Sequence, residues 1–63
     1  MSWSVRVKHD DKDCYRISLR IGNSRWKVGN THCYDEDEHD AWVSVMKEAV
    51  KLEMMMTELI GEK

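Results

Sequence analysis

The sequence contains no proline and only three glycines among its 63 residues. A chain so poor in these residues, with ordinary apolar content, is not typical of a disordered tail, and we expect a folded domain. No apolar run approaches the ~20 residues needed to span a bilayer. The first ten residues, MSWSVRVKHD, have no apolar signal-peptide core. We therefore expect a cytoplasmic protein that does not associate with membranes.

Cysteine is also scarce, since Cys14 and Cys33 are the only two. Two cysteines are too few for a disulfide framework, and the cytoplasm keeps thiols reduced, so we expect both to be free thiols. Together with His9 and His32 they do not match the spacing of a common zinc site. The sequence therefore predicts neither a metal ion nor another cofactor.

Catalytic groups are not evident either. No nucleophile and base can be paired with any specificity in so short a chain, so we do not expect an enzyme. We assign residues 1–63 to a single domain. Its stability should be marginal, because a domain of this size buries only ~60% of its unfolded surface. Such small scaffolds usually need a staple or a partner chain.

Three segments alternate apolar and polar residues, which is the pattern of half-buried strands. These predicted strands comprise residues 3–8, 15–21 and 25–29. The intervening Gly22-Asn23 fits a two-residue hairpin turn with glycine at its first central position. That turn predicts that Arg20 lies opposite Arg25 and that Leu19 lies opposite Trp26.

The predicted meander has two different faces, because successive side chains of a strand point to opposite sides. One face is apolar and consists of Trp3, Val5, Val7, Tyr15, Ile17, Leu19, Ile21, Trp26 and Val28. The other, which we call the basic face, consists of Ser4, Arg6, Lys8, Arg16, Ser18, Arg20, Arg25 and Lys27. No acidic residue of the strands falls on the basic face.

The rest of the chain predicts one long helix over residues 36–60. Asp35 and Glu38 have the spacing of a capping box with Asp35 as the cap. Apolar residues then recur at helical spacing from Trp42 to Ile60. Because a three-stranded sheet needs a partner on its apolar face, the predicted fold is α+β: a three-stranded antiparallel β-meander packed on one long C-terminal α-helix.

The predicted helix is longer than the sheet that it covers. Residues 36–60 would span ~37 Å, whereas a strand of six residues spans about 20 Å. The excess is apolar and rich in methionine, which suits adaptable interfaces. We therefore predict a homodimer or another partner interface through Val50, Met54, Met55, Leu59 and Ile60. The alternative is that this end of the helix frays or folds back.

Charge is divided between the two halves of the chain. Residues 1–30 carry seven basic residues against three acidic ones, a net charge of +4, and residues 31–63 carry three against nine, a net charge of −6. The basic half includes like-charge cross-strand pairs: Arg20 with Arg25 and, in the register that we predict for the first hairpin, Arg6 with Arg16. Such pairs destabilise a sheet.

A polyanion lying across the basic face would relieve this repulsion. Lysine and arginine neutralise phosphates, and Ser18 could donate a further hydrogen bond to a phosphate or a base. The basic face therefore predicts DNA binding through Arg6, Lys8, Arg16, Ser18, Arg20, Arg25 and Lys27. The alternative is a solvated sheet face without a partner.

The stretches YRISLRIGNSRWKVG and YDEDEHDAW, at about residues 15–42, resemble two families of DNA-binding domains. These are the arm-site binding domain of phage tyrosine integrases and the plant Apetala-type domain, each a basic three-stranded sheet backed by a C-terminal helix. An aromatic residue closely follows the strand-ending glycine there, whereas Tyr34 stands five residues after Gly29. The resemblance implies a DNA-binding accessory or regulatory protein from a phage or mobile element, with contacts from Arg16, Arg20, Arg25 and Lys27.

The acidic half supports a different function. Glu36, Asp37, Glu38 and Asp40 form a negative cluster beside Asp35, although acids at a helix N-terminus need no functional explanation because the helix dipole favours them there. A small phage-type inhibitor could bind a host protein through this cluster or through the methionine-rich helix end. Charge reversal of the acids would then abolish function, and reversal of the arginines would spare it.

Overall fold

The computed structural model describes residues 2–62, apart from the side chain of Lys27. The elements along the chain are β1 (Trp3–His9), β2 (Cys14–Ile21), β3 (Ser24–Lys27), β4 (His32–Cys33) and α1 (Glu38–Leu59). β1, β2 and β3 form an antiparallel meander, and α1 packs on one of its faces, which confirms the predicted α+β fold. No helix in the described part of the chain is long and apolar enough to cross a membrane.

The second hairpin has the predicted register. Arg20 lies opposite Arg25 and Leu19 opposite Trp26. Gly22 has a φ of 59°, a left-handed conformation that glycine adopts without a steric penalty. This is the conformation required at the first central position of the predicted hairpin turn.

The first hairpin is shifted by two residues from its predicted register. Arg6 lies opposite Ser18 instead of Arg16, and Lys8 lies opposite Arg16. The strands run further than expected because Asp10 closes a short turn: its Oδ1 accepts the backbone N–H groups of Lys12 and Cys14 at 2.9 and 3.2 Å. A shift of two leaves every side chain on its predicted face, since the period of a strand is two.

The core lies between α1 and the inner face of the sheet and has two centres. The larger contains Tyr15, Ile17, Ala41, Val45 and Ala49. The smaller contains Trp3, Leu19 and Met56. Val5, Val28 and Leu52 pack against both. Most side chains of α1 that reach this core recur at intervals of three and four residues, so a single row covers the sheet, and Met46 packs at its edge.

The helix begins two residues later than predicted. Asp37, not Asp35, is the N-cap, and its Oδ1 accepts the backbone N–H of Asp40 at 3.2 Å. Glu38 does not complete a capping box, because its Oε1 accepts the hydroxyl of Tyr15 at 2.9 Å. Two pairs of acids have the capping spacing, Asp35 with Glu38 and Asp37 with Asp40. The helix begins at the second pair, and Glu38 then contacts Tyr15 of the sheet.

A short strand that the sequence analysis did not predict lies on the same side of β2 as β3. In β4, His32 pairs with Tyr15 and Cys33 with Cys14. Between β3 and β4 the chain leaves the sheet at residues 29–31, which we call the edge excursion. Since the N–H of Val28 still donates to the carbonyl of Ile17, these three residues lie opposite Arg16 alone, and β3 and β4 form one edge strand with an interruption.

The carboxylate of Glu48 on α1 holds the edge excursion in place. Its Oε1 accepts the backbone N–H of Asn30 at 3.1 Å, and its Oε2 lies 2.6 Å from Nε2 of His32. Gly29 has a φ of 78°, and a Cβ there would lie 2.7 Å from Oε1 of Glu48. A side chain is strained here because of the positive φ, and it would also push the Glu48 carboxylate away from its partners.

β4 also brings Cys14 and Cys33 together as a disulfide. The expectation of two free thiols was wrong. It followed from composition, whereas the pairing depends on a strand of two residues placed by Glu48 and by the hydrogen bond from the backbone N–H of Tyr34 to the carbonyl of Asp13, 3.1 Å. The cross-link is the covalent staple that a domain of this size otherwise lacks.

Reducing the disulfide is expected to lower the free energy of unfolding by about 3 kcal/mol, because a cross-link across a separation of 19 residues restricts the unfolded chain. Urea denaturation with and without reductant measures the difference. The double variant Cys14→Ser/Cys33→Ser is the control, and its midpoint should not respond to reductant. Identical midpoints for the wild-type chain in both conditions would contradict the prediction.

Lowering the pH is expected to weaken the contact by which Glu48 holds the edge excursion in place. The hydrogen bond from His32 and that from the N–H of Asn30 hold the pKa of Glu48 below its ordinary value of 4.5, against the opposing effect of burial. Since the folded state keeps this carboxyl ionised at lower pH than the unfolded chain does, its stabilisation is present above pH 4.5 and is lost as the pH falls through the lowered folded-state pKa.

Thermal unfolding followed across that pH range should therefore show a steeper loss of stability for the wild-type chain than for Glu48→Gln. The glutamine keeps an oxygen for Asn30 but does not titrate. Parallel pH profiles for the two proteins would show that Glu48 does not contribute as described.

Candidate nucleic-acid interface

The candidate site is the outer face of the sheet, on the side opposite α1. Side chains of β2 alternate between the core, where Ile17 and Leu19 are buried, and this outer face, where Arg16 and Arg20 are exposed. Cross-strand partners point to the same side, so Arg25 joins them through its pairing with Arg20. The basic face predicted from the alternation is thus a real surface of the fold.

The other residues of the basic face lie on β1, β2 and β3. Arg6 and Lys8 are exposed on β1, and Ser18 is half-buried at the centre of β2. Lys27 belongs to β3 opposite Ser18, but its side chain lies outside the described part of the structure. β1, β2 and β3 contain no aspartate or glutamate, so the strands place only basic and neutral groups on this surface.

One arginine of the basic face has an ion pair. The Nε of Arg16 lies 3.0 Å from Oδ2 of Asp10, the same residue that closes the first hairpin turn. The backbone hydrogen bond from Lys12, with smaller contributions from Cys14 and Arg16, lowers the pKa of Asp10. Within the described residues, no ion pair forms at Arg6, Arg20 or Arg25. Positive charge is therefore concentrated toward the second hairpin.

A shallow depression at that end of the sheet surrounds Arg20. It is lined by Ser2, Trp3, Ser4, Arg20, Gly22 and Asn23. The Nε of Arg20 donates to the carbonyl of Gly22 at 3.1 Å, which orients the guanidinium beside the turn. A guanidinium next to serine hydroxyls and an amide is a suitable set of donors for a phosphate.

The alternation placed Ser4 on the basic face, but neither Ser4 nor Ser2 was predicted to contact DNA. The backbone N–H of Gly22 donates to the carbonyl of Ser2 at 2.9 Å, and Ser4 pairs with Arg20. Both contacts follow from the shifted register of the first hairpin, in which the start of β1 reaches the second turn. A lone serine near the beginning of a chain carries no signal that could have identified it.

Trp26 is on the predicted side of the sheet but is not covered. It lies opposite Leu19 on the inner face, yet 51% of it is exposed. In the described part of the chain, α1 contacts β1, β2 and β4 and does not reach β3. The predicted position of Trp26 on the apolar face, away from the basic face, is confirmed, but the helix does not cover it there.

The acidic cluster at the start of α1 is partly engaged within the fold. Asp37 caps the helix and Glu38 accepts the hydroxyl of Tyr15. Burial, and then the hydrogen bond to Glu38, raises the pKa of Tyr15 to about 12. His9 stacks on Tyr15 and lies 2.6 Å from the hydroxyl of Tyr34, so aromatic rings close this end of the core.

The five residues predicted for a partner interface are all exposed, but they do not share one surface. Val50 and Met54 lie on the side of α1 that faces away from the sheet. Met55 lines a depression with Gly29, Glu48, Lys51 and Leu52 on the flank toward the edge excursion. Leu59 and Ile60 end the helix. Exposure alone therefore does not define the interface.

Comparisons with known proteins do not assign the chain to a family. No protein-family model matches it, and neither the curated proteins nor the solved structures yield a significant match. The resemblance to sheet-type DNA-binding domains therefore stays a prediction.

Relieving the like-charge pair should stabilise the isolated protein. Arg25→Thr removes the repulsion across Arg20 and is expected to raise the free energy of unfolding by up to about 1 kcal/mol at low salt. The gain should shrink at high salt, which screens exposed charges. Arg6→Thr is the matched control, because Arg6 lies opposite the uncharged Ser18. Equal effects of the two substitutions on the urea midpoint would contradict this account.

Proposed function

We propose that this chain binds double-stranded DNA through the basic face. The observation that carries the proposal is the placement of Arg20 opposite Arg25 and Lys8 opposite Arg16 on strands that contain no acid. Among the described residues no ion pair offsets the repulsion between Arg20 and Arg25, which opposes folding in a small domain with a limited core, whereas Arg16 pairs with Asp10. Phosphates above the sheet would turn this repulsion into attraction and release counterions from the DNA.

The dimensions of the sheet favour the major groove. Three strands at a spacing of about 4.8 Å present a surface roughly 10 Å wide between the outer strand axes. The major groove is about 12 Å wide and admits β-structure, whereas the minor groove is only about 6 Å wide. Arg20 and Arg25 would lie over the duplex at the second hairpin, and arginine can donate two hydrogen bonds to a guanine edge there.

The wider role that we propose is that of an accessory or regulatory protein of a phage or mobile element, acting in the cytoplasm. Its support is the resemblance of residues 15–42 to sheet-type DNA-binding domains. In a reducing cytoplasm the Cys14–Cys33 disulfide would tend to open. The disulfide lies at the other end of β2 from Arg20, so we expect DNA binding in both redox states.

An inhibitor of a host protein is the competing function. Its acidic surface is smaller than the sequence suggests, because Asp37 and Glu38 already have partners within the fold. Asp35 and Glu36 remain as exposed acids before the helix. They provide a matched control for the basic face.

DNA binding is tested by titrating a random-sequence duplex at several salt concentrations. Neutralisation of about five phosphates predicts a slope of log K against log[salt] of roughly −4 to −5. Arg20→Glu/Arg25→Glu should abolish binding, whereas Asp35→Lys/Glu36→Lys should preserve or strengthen it. Circular dichroism establishes that each variant is folded.

Absence of binding by the folded wild-type chain at low salt, in both redox states, would overturn the proposal. Retention of binding by the arginine variant would exclude the basic face. If the Asp35/Glu36 variant instead lost the capture of a host protein that the arginine variant retained, the inhibitor function would replace DNA binding.

A further inference from the structure

We infer that two copies of the chain associate through the outer face of α1 and thereby hold two DNA duplexes on opposite sides of one dimer. The DNA part of this inference rests on the proposed function, but the association surface does not. We call this surface the helix stripe and define it as Val43, Met46, Val50, Met54 and Thr57.

The helix stripe follows the pattern of a packed helix surface. Its members recur at intervals of three, four, four and three residues, so they form one row along α1. Val50 and Met54, at its centre, are 54% and 65% exposed. The buried row of Ala41, Val45, Ala49 and Met56 occupies the other side of the same helix. Met46 at the edge of the stripe also packs against the core, so the uncovered apolar surface is centred on Val50 and Met54.

A second copy of α1 complements this stripe better than an arbitrary apolar partner does. In an antiparallel pair whose two-fold axis passes between Val50 and Met54, Val50 of each copy meets Met54 of the other. Met46 then lies beside Thr57 of the other copy. Symmetry makes each contact occur twice, as a self-complementary two-fold interface requires.

The flanks of the stripe fit the same arrangement. At 1.5 Å per residue, Lys47 of one copy lies at nearly the same height as Glu58 of the other, and both residues are on one flank. Trp42, which is 47% exposed, lies on the opposite flank, about 3 Å along the axis from the level of Ile60 of the second copy, which is 40% exposed. The two copies of Glu53 lie at the rim near the axis, where solvent screens their repulsion. In this arrangement opposite charges meet on one flank of the helix pair, and apolar side chains meet on the other.

The order of sheets and helices in such a dimer determines where its two basic faces point. Each sheet has α1 on one face and the basic face on the other, so pairing through the helices gives the order sheet, helix, helix, sheet. The two basic faces then point in opposite directions. A dimer that reads adjacent half-sites needs both binding faces on the same side of one duplex. This dimer would connect two separate duplexes, or two distant segments of one DNA molecule.

Analytical ultracentrifugation tests the association surface without DNA. The wild-type chain should sediment as a dimer, Val50→Glu as a monomer, and Met55→Glu as a dimer. Met55 is the matched control, because it is a similarly exposed apolar residue of α1 outside the helix stripe. Lys47→Glu should weaken the dimer at least tenfold, and Lys47→Glu/Glu58→Lys should restore it.

A capture assay tests the connection of duplexes. Bead-bound duplex should retain a second, fluorescent duplex when the wild-type chain is added. Val50→Glu should still bind single duplexes but should retain at most a tenth of the fluorescent DNA. Arg20→Glu/Arg25→Glu should sediment as a dimer and bind no DNA.

The outcomes separate the two proposals. A folded wild-type chain that binds DNA as a monomer at all accessible concentrations overturns the inference and leaves the proposed function intact. Dimers that dissociate equally with Val50→Glu and Met55→Glu would exclude the helix stripe. A dimer without DNA affinity overturns the connection of duplexes together with the proposed function, while supporting the association surface.

Discussion

The alternation of side chains along β2 is the constraint on which the rest of the structure depends. Ile17 and Leu19 point inward and are almost completely buried, while Arg16, Ser18 and Arg20 point outward. Full burial of an aliphatic side chain stabilises a protein by about 1.5–3 kcal/mol, and an opposed like-charge pair destabilises it by up to about 1 kcal/mol. The core therefore fixes the register, and the positive charges are held together as a consequence. A displacement of one residue would bury the arginines and expose the core.

Features set by short stretches of chain could be predicted from the sequence. The period-two pattern identified the three long strands, and Gly22 determined the second hairpin because its turn permits only one register. Helical periodicity likewise identified α1, although Trp42, Leu59 and Ile60 of the predicted apolar row are exposed. These features need only the residues within one or two elements, so local chemistry is sufficient to define them.

Features that depend on contacts distant in sequence could not be predicted. The register of the first hairpin was also missed, although its contact is local: Asp10 accepts the backbone N–H groups of Lys12 and Cys14. The helix begins at Asp37 rather than Asp35 in a fold where Tyr15 contacts Glu38. β4 is too short to have a pattern of its own and depends on Glu48, 16 residues away from His32. The disulfide follows from β4 and was inaccessible for the same reason.

The edge excursion has a consequence for how the protein avoids aggregation. An exposed edge strand can template another strand, and small sheet proteins are vulnerable to such β-augmentation. Here residues 29–31 interrupt the row of backbone donors and acceptors between β3 and β4, and the carboxylate of Glu48 already accepts the N–H of Asn30. An incoming strand would find only a short ladder on either side of the interruption. The edge excursion therefore acts as a gatekeeper at this edge of the sheet, where it suppresses open-ended strand addition.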